Sequence, residues 1–239
     1  MGNLSSHGNS RNYEIDLLRG LAIVLMVIFH FGYDLTIFGW AYFNTSEDIE
    51  WRIFRSIIVS GFLLAVGMSS YLAYQKSINK KKLAKTVGKL FAVSLLITIG
   101  SLLLDPNTWV YFGIIHFITV ALPISVLFVR APNIALVIGI LCIGGYWSGI
   151  LDFYPIWEWS VLNLGIPLQT VDLVSLFPWI GVVLIGVFVM HKEIFHIKFT
   201  ASVISNKLGF LGQHSLLIYL IHQPILYGLF GLTDLILGR

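Results

Sequence analysis

Stretches apolar enough to cross a bilayer fill most of this chain, and the first, Ile15 to Trp40 (IDLLRGLAIVLMVIFHFGYDLTIFGW), carries Asp16, Arg19, His30 and Asp34 inside it. A spanning helix needs about 20 consecutive mostly apolar residues. Backbone in hydrocarbon has no water to bond to, so such stretches are built as helices that satisfy their own N–H and C=O groups. The fold expected is therefore all-α, a polytopic membrane helix bundle. About seven transmembrane helices are read, near 15–39, 53–75, 87–104, 111–129, 134–151, 173–190 and 208–232. The third, fifth and sixth are short and would extend into their flanks, tilt or thin the bilayer. Only 11% of the residues are charged, against about 25% in a soluble domain. That excludes a soluble globular enzyme, and nothing in the charge pattern suits nucleic acid.

The opening residues 1–12 are polar and rich in Gly, Ser and Asn, and read as a disordered cytoplasmic tail. Residues 13–239 read as one transmembrane domain. The first apolar run is too long and too charged for a signal peptide, so it is expected to be retained. Cys142 is the one cysteine. It can form no internal disulfide and no cysteine metal cage, and no metal is expected.

Lysine and arginine set the orientation. With the N-terminus cytoplasmic, the inner segments hold Arg11, Lys76, Lys80, Lys81, Lys82, Lys85, Lys89, Arg130, Lys192, Lys198 and Lys207, most of the 15 basic side chains. Outer segments hold only Arg52 and Arg239, with Arg55 just inside the second span. The positive-inside rule then predicts N-in, C-out, in the cell membrane. The aromatic stretch 152–172 has no Lys or Arg and is expected on the interface or as a lid.

Ionisable groups inside a span are costly and mark sites. Arg19 and His30 are three turns apart on one helix face, so His30 lies ~16 Å further out. Asp34 follows one turn on, within reach of the imidazole. A His–Asp pair makes a general base or a nucleophile; the alternative is a histidine that only bridges helices. Arg19 suits an anion, or an ion pair with Asp16. The orientation places His30, His116 and His222 in the same outer half, near Asp34 and Arg55. It places Arg19 level with Gln213, His214 and Ser215. Pro224 is expected to disturb the helix past His222. Tyr219 and Trp179 read as packing or wall residues, and Gly181 and Gly186 suit close helix packing.

YEIDLLRGLAIVLMVIFHFGYDL, FGIIHFI, LFPWIGVVLIG and LGQHSLLIYLIHQPIL, in that order, resemble the bacterial and archaeal members of the heparan-α-glucosaminide N-acetyltransferase catalytic-domain family. The resemblance covers about Asn12 to Gly231. The Arg19, ten residues, His30 spacing also resembles the wider transmembrane acyltransferase-three pattern. It implies an acyltransferase that passes an acyl group, acetyl in this family, from cytoplasmic acyl-CoA to an outer hydroxyl or amine acceptor such as a sugar. His30 would be its catalytic histidine and Arg19 a residue of the donor tunnel.

The expected site follows. His30 and Asp34 are catalytic. Arg19, Lys85, Lys89, His214 and Ser215 bind acyl-CoA, with the pantetheine arm running past Ile23 and Val27. Arg55, His116, Asp172 and His222 line the acceptor cavity. Expected partners are acyl-CoA, a glycan or small-molecule acceptor, membrane lipids and optionally a second copy of the chain. Three other readings stay open: a small-solute or proton-coupled transporter, a bis-histidine haem or metal site, and a scaffold whose polar groups only join helices.

Overall fold

The computed structural model describes residues 12–194 and 202–238. Of the tail expected over residues 1–12, all but Asn12, which caps α1, lies outside them, as do the charges of Arg11, Lys198 and Arg239. Among the described residues the architecture is helical: α1 (Tyr13–Ile37), α2 (Ile49–Tyr74), α3 (Lys80–Leu104), α4 (Ile114–Phe128), α5 (Pro132–Trp147), α6 (Tyr154–Leu164), α7 (Trp179–His191), α8 (Val203–Gln213) and α9 (Ser215–Leu237). α1, α2, α3 and α9 are long and apolar enough to cross a membrane, and α4, α5 and α7 are shorter apolar helices. The chain is a helical membrane bundle.

Local chemistry sets the ends. Asn12 caps α1 by accepting from the Ile15 N–H at 3.1 Å, and Asn79 caps α3 by accepting from the Lys82 N–H at 3.0 Å. The Asn79 cap starts α3 seven residues before the apolar run at 87, which makes the third span full length. Pro132 opens α5, where a missing N–H is harmless. Gly39 and Gly238 follow the ends of α1 and α9 in the left-handed region.

Two expected spans are corrected. The sixth, 173–190, is helical only from Trp179. Residues 170–174 are instead extended along 108–112, with Val174 N–H donating to the Phe112 carbonyl at 3.1 Å and Thr170 Oγ1 to the Trp109 carbonyl at 2.9 Å. The seventh, 208–232, is two helices that meet at His214. The junction is polar, and the His214 N–H turns back to the Phe210 and Leu211 carbonyls. The 152–172 stretch contains α6, an exposed helix tied down where Trp157 Nε1 donates to the Tyr111 hydroxyl at 2.8 Å.

The core lies where α2 meets α4 and α7, around Leu63, Phe117, Ala121 and Val183. Helices approach backbone to backbone through glycines. Gly67 of α2 faces Gly186 of α7, Gly139 of α5 faces Gly181, and Gly20 of α1 faces Gly212 of α8. Small residues at such crossings let van der Waals packing hold helices together without a hydrophobic drive. The Gly20–Gly212 crossing brings the α8–α9 junction beside Arg19. α3 and α9 are peripheral: α3 buries only Ser94, and α9 buries His222, Leu226 and Phe230.

Candidate active site

Arg19 sits on α1 one turn into the helix. Its Nη2 donates to Ser69 Oγ on α2 at 2.8 Å, and that hydroxyl donates to the Ala65 carbonyl at 2.6 Å. Arg19 also borders a cavity of about 320 Å3. At one end the walls are Ala73 and Tyr74 of α2 with Lys82 and Thr86 of α3. At the other they are Ile114 of α4 and Tyr219 of α9, and Ser215 lies between. The lining of α2 runs from Tyr74 to Phe62, ~18 Å of helix. The walls between the ends are apolar, with Val66, Leu90, Ile115, Ile118 and Leu122.

Part of the expected donor path is displaced. Ile23 is 1% exposed and packs into a cluster with Met26 and Ile58, so it is core and not wall. The slot runs instead between α2, α3, α4 and α9. Lys85 and Lys89 are exposed and lie off the lining, whereas Lys82 and Thr86, on the stripe that continues to Leu90, face it. His214 is exposed, its Nδ1 bonded to the Phe210 carbonyl at 2.9 Å and its ring 4.4 Å from that of Phe210. It lies off the slot; its neighbour Ser215 is on it. Arg55 is exposed on α2.

Beyond the Tyr219 end lies a second polar layer. His30 Nδ1 is 2.9 Å from the Met26 carbonyl, and His222 Nδ1 is 2.7 Å from the Tyr219 carbonyl. Carbonyls only accept, so in both rings Nδ1 carries the proton and Nε2 holds a lone pair. The two rings meet edge to face with centroids 4.7 Å apart. His222 is buried and its Nε2 has no hydrogen-bond partner among the described residues.

Asp34 does not orient His30, contrary to the expectation from their one-turn spacing. Its Oδ1 accepts from Gln223 Nε2 of α9 at 2.8 Å, and the Met26 carbonyl sets the imidazole. The acid whose charge reaches both His30 and His116 is Asp172. Asp172 Oδ2 accepts from the Tyr219 hydroxyl at 2.9 Å and from the Ile114 N–H at 3.1 Å. It thereby caps the start of α4, where unpaired N–H groups favour an anion. The extended pairing of 170–174 with 108–112 puts it there.

His116 is a different case. Its Nδ1 accepts from the Gly113 N–H at 3.3 Å, and its Nε2 lies 2.9 Å from Thr98 Oγ1. Thr98 gives its own proton to the Val110 carbonyl at 2.8 Å, so His116 Nε2–H is the donor. Both ring nitrogens are occupied in joining α3 to the start of α4.

Sequence reasoning missed Gln223, Lys82, Thr86 and Ser69 as site residues, and it placed Tyr219 on a wall, where it lies, without its link to Asp172. Tyr219, read as a wall, bridges the slot and the histidine layer through Asp172. Its place three residues before His222, on the same helix face, was the available signal. Among the described residues no group of three or more His, Cys, Asp and Glu side chains is placed to hold a metal.

Residues 11–224 match the heparan-alpha-glucosaminide N-acetyltransferase catalytic family. The chain belongs to this family. Membership gives it acetyltransferase and acyltransferase character, and its apolar helices make it an integral membrane protein. No curated protein and no solved structure matches it.

Proposed function

We propose that this family member moves an acetyl group from cytoplasmic acetyl-CoA, through the slot, to a hydroxyl or amine on an acceptor at the outer face, a sugar being the acceptor class. The observation that carries the reading is the slot itself. It has Arg19 and Lys82 on its lining, apolar walls between its ends, and reaches Tyr219, whose carbonyl holds the His222 imidazole against that of His30. A pantetheine arm is a slim chain with phosphates at one end and a thioester at the other, which matches that polarity. Lys82 belongs to the lysine-rich 76–89 stretch, so the positive-inside rule supports a cytoplasmic mouth and the N-in, C-out orientation.

In the transfer, His30 Nε2 takes the proton of the acceptor O–H or N–H. The acceptor atom attacks the thioester carbonyl, the C–S bond breaks, and the thiolate leaves with the proton from His30. In the two-step form His30 Nε2 attacks the thioester carbonyl and the C–S bond breaks to release the thiolate; the acceptor O–H or N–H then attacks the acyl-imidazolium, the C–N bond to His30 breaks, and the acceptor's proton goes to the thiolate. Tyr219 closes the slot end with its hydroxyl proton given to Asp172 Oδ2, which ties the slot to the layer that holds the two histidines. Each ring reaches this arrangement held in one tautomer by a backbone carbonyl.

The test is transfer by purified protein in liposomes, with labelled acetyl-CoA on one side and an amino-sugar glycoside on the other. The parent should label the acceptor, and His30→Ala should bind the donor without labelling it. A parent protein that neither binds acetyl-CoA in calorimetry nor transfers label would refute the reading.

A further inference from the structure

Asp34 and Gln223 together leave two buried oxygens unserved. Gln223 Nε2 donates to Asp34 Oδ1 at 2.8 Å, while Asp34 Oδ2 and Gln223 Oε1 have no partner among the described residues. Asp34 is 0% exposed, at the boundary of α1 and α9. With the carboxyl ionised both orphan atoms are acceptors, so neither can satisfy the other. A carboxylate enclosed in an apolar bundle would also bear a charge that needs a cation. Its neighbours among the described residues include the phenols Tyr33 on α1 and Tyr227 on α9. The nearby imidazoles of His30 and His222 each give their Nδ1 proton to a carbonyl of their own helix.

One proton can resolve both defects. Placed on Oδ2, it makes that oxygen a donor, and Gln223 Oε1, on the amide already bonded to the other carboxyl oxygen, is the acceptor it would pair with. Acid and amide then form a closed two-bond ring with no net charge. We propose that Asp34 holds a proton in the resting protein and that Asp34 and Gln223 form a neutral acid–amide clasp between α1 and α9. The clasp fixes the register of α9 one residue from His222, which keeps that ring against His30. Asp34 is then a positioning residue and takes no proton from substrate. The inference stands whether or not the chain transfers acyl groups.

Infrared spectroscopy of the whole protein in detergent or lipid tests it near neutral pH. Parent protein labelled with carboxyl-13C aspartate should show an isotope-shifted C=O stretch of a protonated acid, above the amide I band and shifted again in D2O. The band should vanish in Asp34→Asn. An amide at position 34 can still donate to Gln223 Oε1 and accept from its Nε2. Asp34→Asn should therefore melt within a few degrees of the parent, whereas Asp34→Ala and Gln223→Leu should melt clearly lower. A labelled parent showing only carboxylate bands would overturn the proposal. So would an Asp34→Asn protein as unstable as Asp34→Ala. Should the alanine variant fail to fold, the spectrum of the labelled parent decides alone.

Discussion

His116 commits both ring nitrogens to the fold; His30 and His222 commit one each. All three stand in apolar helices, and the difference lies in what surrounds them. His116 sits in the first turn of α4, where the Gly113 N–H and the Thr98 hydroxyl close on it from two sides. His30 and His222 are mid-helix, where a carbonyl of the preceding turn holds Nδ1. A carbonyl takes the Nδ1 proton and leaves Nε2 as a base. Depth in the membrane is thus not what separates the three imidazoles. The count of remaining lone pairs does.

The largest expected effect is at His30. General-base assistance is worth ~10²–10⁴ in rate, so His30→Ala should lose at least that much transfer while keeping its fold and donor affinity. His30→Gln keeps hydrogen bonding without basicity and should be nearly as poor. Parent-rate transfer by His30→Ala would remove the distinction drawn between the histidines. A trapped acyl adduct on Nε2 would assign the nucleophile.

His222→Ala should cost less, within about 10²-fold, the scale of a misplaced catalytic group. In a double variant with His30→Ala the two losses should fail to add, because the rings touch. His116→Asn should leave the turnover of folded protein unchanged and lower stability by roughly 1–3 kcal/mol, the cost of buried partners left unpaired. A thermal melt read beside the transfer rate separates the two outcomes. A rate loss in His116→Asn without a melting shift would break the comparison.

The helical membrane architecture and the two polar levels of α1 were legible because they depend on apolar run length and the 3.6-residue period. The glycine crossings at Gly181 and Gly186 were legible for the same reason. The His30–Asp34 pair was not. Spacing says that two side chains can meet along one helix, but Gln223 reached Asp34 from α9, 189 positions away, and tertiary contact outcompeted the local one. The break at His214 escaped because hydropathy averages across a polar junction. Asp172 was named for its outer position alone; its role as the cap of α4 depends on extended pairing that no helical period reveals. The slot follows α2 and α4 rather than Ile23, because Gly20 draws α1 against α8 and Ile23 turns into the core.

The same distinction between facing and merely nearby groups applies at the other end of the slot, with smaller effects. Arg19 lines it, and Arg19→Ala should weaken acetyl-CoA binding by about 1–3 kcal/mol, the scale of a lost charge-assisted hydrogen bond, with little change in turnover of saturated protein. Lys82 also lines the slot, while Lys85 lies on the same helix three residues on and turns away from it. Both are exposed, so each feels a donor phosphate through water, and the effect of either is small. Lys82→Ala should still reduce affinity by roughly 0.2–1 kcal/mol, and the loss should shrink as salt rises. Lys85→Ala should fall within error of the parent at every ionic strength. Titration calorimetry on the two variants at low and high salt checks this directly. If the two lysines prove equal, the donor's phosphates are held by the general field of the 76–89 stretch. If Lys85 proves the larger, the mouth lies on the other side of α3.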